Sequence, residues 1–122
     1  MAASELQPEL QATDRLLEIW GKDGRQGRGG SMHPLEALRL IHDGVVLGAE
    51  MTNDKVMIVV EETVLHSPVD VRAFLFEWYR RPPRPSHIVA KNLGISRTQL
   101  YEFRKQKVSY VRGALNSRGL RV

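Results

Sequence analysis

In the stretch VAKNLGISRTQLYEFRK, residues 89–105, six polar side chains recur at a spacing that one helix would present outward: Ser96, Arg97, Thr98, Tyr101, Glu102 and Lys105. Their chemistry is that of recognition. An arginine donates two parallel hydrogen bonds to guanine, threonine and tyrosine reach a thymine methyl or a phosphate, and glutamate accepts from cytosine N4 or holds a neighbouring arginine. Arg84, Ser86, Lys91 and Arg104 lie around them in the sequence. Those four suit phosphate oxygens, which position a protein on a duplex without specifying its sequence.

Catalytic and metal chemistry has no comparable support. The chain has no cysteine, which excludes a disulfide scaffold, a thiolate zinc site and a cysteine nucleophile. His33, His42, His66 and His87 are scattered without metal-ligand spacing. GKDGRQGRGG lacks the GK[ST] ending of a phosphate-cradling loop. Glu61 and Glu62 are adjacent, and adjacent residues on a helix point about 100° apart. No Ser/His/Asp arrangement stands out. The sequence predicts no enzyme, no cofactor and no metal.

The elements that must position the polar set follow from the same stretch. From Ser86 onward the pattern is that of a helix-turn-helix, in which two short helices meet across a tight turn. Ala90 supplies the small residue where the helices pack, and Gly94 can take the positive φ the turn requires. Val89, Leu93, Ile95, Leu100 and Phe103 face inward. Ser96 caps the second helix, and Gln99 completes a capping box. The apolar face continues through Val108, Val111 and Leu115, which carries that helix to about residue 117, with Lys107, Arg112 and Arg118 along its flanks.

Charge is divided along the chain. Residues 1–79 hold 7 Lys/Arg and 13 Asp/Glu, a net −6, whereas residues 80–122 hold 11 Lys/Arg and only Glu102, a net +10. So cationic a C-terminal third seeks a polyanion, of which nucleic acid is the commonest. A basic tail kept for solubility, or a packed helical pair with no ligand, is the plainer alternative. At 122 residues the chain should form one domain or one domain with an appendage. Three parts are expected: an acidic helical part, 1–79, with a glycine-rich basic loop at 21–32; a proline-rich basic hinge, 80–85; and the helix-turn-helix part, 86–122.

Within the first part, Leu16, Leu17 and Trp20 predict a helix over about 12–20 with Gly21 as its stop. Pro34 opens a second helix that Gly44 ends. The segment TNDKVMIVVEETVLHS has helical spacing at Val56, Val59, Val60 and Val64, with Asn53 as a cap, although VMIVV alone also fits a buried strand. Helix is preferred because no partner strand is evident. In SPVDVRAFLFEWYRR, Ser67 caps, Pro68 takes the first turn, and Val71, Phe74, Leu75 and Trp78 form the stripe. The fold class that follows is all-α. MAASELQPEL is not a signal peptide, and VMIVV is too short to span a membrane.

Taken together, LLEIWGKDGR, the basic glycine-rich stretch after it, the acidic middle, FLFEWYRR and IVAKNLGISRTQLYEFRK resemble the phage late-gene antitermination proteins of the Q type, over about residues 14–117. EIWG is the more family-specific cue; the helix-turn-helix is shared by many regulators. The resemblance is to the smaller type without cysteines, whose helix-turn-helix is similar to the promoter-reading domain of bacterial sigma factors. Other forms carry a cysteine-based zinc site, which does not carry over to this chain. The resemblance implies binding to double-stranded DNA near a late promoter, in the host bacterial cytoplasm. It implies loading onto paused host RNA polymerase and readthrough of terminators, with sigma factor and nascent RNA as further partners to consider. Residue by residue, only GISRTQLYEF takes a DNA role from it. Antitermination also needs a second surface, for which Leu16, Ile19, Trp20, Lys22, Arg25 and Arg28 are the residues expected to touch polymerase or RNA. Two other readings stay open: a phage regulator acting at an operator, and a small terminase-like DNA-recognition subunit.

Overall fold

The computed structural model describes residues 6–26 and 53–122. The helix expected over 33–44 and the second half of the glycine-rich loop lie outside the described residues. Among the described residues all regular elements are helical: a 3-10 turn at Pro8–Leu10, α1 at Gln11–Gln26, α2 at Asn53–Leu65, α3 at Val69–Leu75, a π turn at Phe76–Arg80, α4 at Ser86–Leu93 and α5 at Arg97–Ser117. The all-α expectation holds, and VMIVV lies in a helix.

Helix α1 carries two apolar stripes. Ala12, Leu16 and Ile19 form one and Leu17 and Trp20 the other, and all five are buried. One helix is therefore enclosed on two sides, by the π turn, α2 and α5. Gly21 is not the stop that was expected, since the helix runs on to Gln26. The glycine answers a tertiary need. A Cβ there would lie 2.0 Å from the Tyr79 carbonyl oxygen, and one at Gly24 would lie 2.0 Å from Arg80 Nε. A helical glycine costs about 1 kcal/mol relative to alanine, and the close approach of the π turn offsets it.

Helix α2 buries Val56, Met57, Val60 and Val64, and this one-sided burial is what settles helix over strand. Its end corrects a second expectation. The Ser67 hydroxyl donates to the Thr63 carbonyl at 2.6 Å, so it closes α2. The residue preceding α3 is Pro68, with no side-chain cap, while Asp70 Oδ1 accepts from the Val71 N–H at 2.9 Å. Helix α3 then widens into the π turn. The wider turn lets Trp78 and Tyr79 both pack on Phe74, at ring separations of 5.7 and 6.3 Å, while Phe103 of α5 meets Phe74 edge-on at 5.7 Å.

Beyond Arg81 the chain is extended up to Pro85, as RPPRP predicts. It does not separate two cores. One apolar cluster runs from Leu10 through Phe74 and Val89 to Leu120. Helix α5 contributes Leu100, Val108, Val111 and Leu115, all fully buried.

Helices α4 and α5 meet across a turn built by local chemistry. Gly94 has φ 72 and ψ 26. The Ile95 N–H donates to the Ala90 carbonyl at 3.0 Å and the Gly94 N–H to that of Lys91 at 3.1 Å, a Schellman closure. Ser96 Oγ accepts from the Gln99 N–H at 3.1 Å, and Gln99 Oε1 accepts from the Ser96 N–H at 2.9 Å. A second closure ends α5, with Gly119 at φ 89 and the Leu120 N–H on the Leu115 carbonyl at 3.0 Å.

Candidate nucleic-acid interface

The cations of the C-terminal third divide into two sets by what they touch. The inner set is bound to the acidic part of the chain. Arg104 NH2 donates to Asp14 Oδ1 at 3.0 Å, where the Tyr79 hydroxyl also donates at 2.5 Å. The Arg104 guanidinium lies 4.8 Å from the Trp78 ring centre, and only 13% of the side chain is exposed. Burial opposes its charge, but Tyr79 and Asp14 outweigh that and raise its pKa. Burial, and then the Asp14 carboxylate, push the Tyr79 phenol well above its ordinary value.

Arg84 and Arg81 converge on Glu77. Arg84 donates to Glu77 Oε1 and to the Glu77 carbonyl. Arg81 NH1 reaches Oε2 at 3.0 Å, and Asn92 Nδ2 reaches Oε1 at 2.7 Å. Burial works to raise the Glu77 pKa, yet the hydrogen bonds from Asn92, Arg84 and Arg81 hold the carboxyl below its ordinary value. Arg80 lies 4.0 Å from the Trp20 ring centre, and its NH2 reaches Glu61 Oε2 at 3.3 Å. The Trp20 indole N–H donates to the same oxygen. Lys107 donates to Asp70 Oδ2 at 2.8 Å, and that hydrogen bond is the main reason the Asp70 pKa falls. Arg118 meets Glu62 at 3.5 Å on the surface.

The outer set on the α4–α5 joint consists of Lys91 on α4 and Arg97 and Lys105 on α5, and no ion pair among the described residues reaches any of the three. At the other end of α5, Arg112 Nε donates to the Val122 carbonyl at 3.0 Å and Arg121 is exposed. Lys91 and Arg97 are exposed and Lys105 is half-exposed. Beside them Ser96, Thr98 and Glu102 are exposed, and Tyr101 is half-exposed. Six side chains expected to read bases thus lie around the first three turns of one capped helix, none of them buried. Ser86 opens α4 and is half-exposed.

The four residues expected on phosphate therefore separate. Lys91 is exposed and Ser86 is half-exposed at a cleft between α1 and the extended segment, whereas Arg84 and Arg104 place their guanidinium groups on Glu77 and Asp14. A signal for Arg104 was present in the sequence. It falls four residues after Leu100 and four before Val108, on the inward stripe of α5. Of the residues expected to meet polymerase or RNA, Leu16, Ile19 and Trp20 are core, with Trp20 only 2% exposed. Lys22 is exposed on α1, and the side chains of Arg25 and Arg28 lie outside the described residues.

Glu77, Arg81, Arg84, Ser86, Glu18 and Lys22 line a cleft of about 460 Å³ between α1 and the extended segment. Burial, and then the neighbouring Asp14, raise the Glu18 pKa. Among the described residues no group of three metal-ligating side chains forms, and no helix is long and apolar enough to cross a membrane. No protein-family model, no curated protein and no solved structure matches the chain.

Proposed function

We propose that α4 and α5 act as a helix-turn-helix that enters the major groove of double-stranded DNA, with Arg97, Thr98, Tyr101 and Lys105 toward base edges. Ser86 and Lys91 meet the phosphate backbone. One observation carries this reading: among the described residues of a strongly cationic segment, three basic groups with no carboxylate partner, Lys91, Arg97 and Lys105, surround the N-terminal half of α5. In a helix-turn-helix that end of the second helix reaches base edges. Arg84 and Arg104 drop out of the contact set because their charges are used inside the molecule. Glu102 is better suited to orient Arg97 or Lys105 than to meet a base.

The biological reading rests on the resemblance to phage late-gene antitermination proteins: a DNA-binding factor that modifies paused host RNA polymerase so that it reads through terminators. Of the residues first considered for the polymerase surface, burial removes Leu16, Ile19 and Trp20 and leaves Lys22, Arg25 and Arg28. Transcription in vitro from a late promoter past a strong terminator, with and without the protein, tests the proposal. Readthrough that needs a promoter-proximal pause supports it. Unchanged termination together with altered initiation would assign the protein to the operator-binding regulators.

A further inference from the structure

We infer that Glu77 is a positioning residue that holds α4 in one orientation against α5 and the acidic part of the chain. The residue sits in the π turn and is buried. Its carboxylate joins three parts of the molecule: Arg81 after the turn, Arg84 among the prolines, and Asn92 near the end of α4. Helix α4 is more lightly buried than α5, with Leu93 and, just past its end, Ile95 only partly covered against the core. It spans eight residues and buries only Val89 and Ala90, whereas α5 is anchored by four fully buried side chains. The extended segment before it contains Pro82, Pro83 and Pro85, whose nitrogens have no N–H to donate. A charged hydrogen-bonding hub is therefore the main polar restraint on where α4 sits, and α4 carries Ser86 and Lys91.

The consequence for DNA rests on the reading above; the lock does not. The chain contains no cysteine, so a Gln11→Cys/His87→Cys pair, exposed on α1 and α4, takes two spin labels and no others. Pulsed electron spin resonance then reads the distance distribution between the helices in the full chain. The parent pair should give one narrow distribution, and adding Glu77→Gln should broaden it. Asn92 is exposed, so Asn92→Ala leaves the fold in place and should broaden the distribution as well. Combining Glu77→Gln with Asn92→Asp exchanges donor and acceptor in the same hydrogen bond and leaves a carboxylate near Arg84. That exchange should narrow the distribution again, which a general loss of stability would not do.

Distributions unchanged by both Glu77→Gln and Asn92→Ala would overturn the inference, as would an exchange no narrower than Glu77→Gln alone. Binding to a random-sequence duplex is measured in parallel. If the competent arrangement falls to about a tenth of the population, the apparent Kd of Asn92→Ala rises roughly tenfold. Failure of the unsubstituted chain to bind duplex would sink the DNA reading, and the distances would still decide the lock.

Discussion

Arg97 and Arg104 are the same residue type, seven positions and about two turns apart on α5. They point in nearly the same direction around the helix axis, yet one is exposed and the other is held between Asp14 and Trp78. Position along the axis separates them. At residue 104 the helix runs beside α1 and the π turn; at residue 97 it has just left the turn that joins it to α4. The same charge therefore serves two purposes. Near the middle of the helix it joins acidic and basic parts of the chain, and at the end it remains available to a partner.

The comparison is broken most sharply at the inner position. Removing one member of a fully buried ion pair costs about 3–5 kcal/mol because the other charge is left without its partner. The Arg104–Asp14 pair is partly exposed and should fall toward the lower end, about 3 kcal/mol. Arg104→Ala should lower the urea midpoint by a corresponding amount and affect duplex binding only by unfolding the protein. An unchanged midpoint would mean that Asp14 and Tyr79 are satisfied without it.

Next in size is Gly21→Ala, whose methyl group would collide with the Tyr79 carbonyl. Overpacking of this kind costs roughly 3 kcal/mol. Gly24→Ala meets only the movable end of Arg80 and should be much milder, so thermal unfolding of the two variants distinguishes backbone approach from side-chain contact.

At the outer position stability should hardly move. Arg97→Ala is expected to stay within about 0.5 kcal/mol of the parent in unfolding while losing about 1–3 kcal/mol of discrimination at one base pair. Lys91→Ala should weaken binding on all sequences alike and reduce the salt slope by about one. Equal losses for the two on specific and random DNA would remove the division between base and phosphate contacts.

The smallest effect is a pH dependence confined to the inner set. The Glu77 carboxyl lies below its ordinary 4.5 in the folded chain, so its contribution is intact above that value and is lost as pH falls through the lowered one. Urea midpoints measured from pH 7 to pH 3 should decline less steeply in Glu77→Gln than in the parent. Parallel curves would show that the carboxylate's charge adds nothing to the fold.

How much of this was legible depends on the range of the interaction. The joint between α4 and α5 could be read because every signal is local: Gly94 for a left-handed turn, Ser96 and Gln99 for a reciprocal cap, and an apolar period that continues through Leu115. Gly21 misled because glycine commonly ends helices, and its reason for being there is a carbonyl 58 residues away in the sequence. Ser67 misled because the same hydroxyl can open one helix or close the preceding one. Arg84, Arg104 and Trp20 were placed outward or at a partner's surface for want of their acids, and Asp14 is 90 positions from Arg104.

By itself the sequence determined the turn at Gly94, the length of α5 and the division of charge between the two parts of the chain. Those features follow from contacts within a few residues, or from composition alone. Helix over strand at VMIVV, by contrast, was settled by burial in the folded chain. Only the tertiary structure decided which cations are neutralised inside and which remain outside. That sorting depends on which helix face meets which distant carboxylate, and the period of a single helix carries no information about its neighbour's charge.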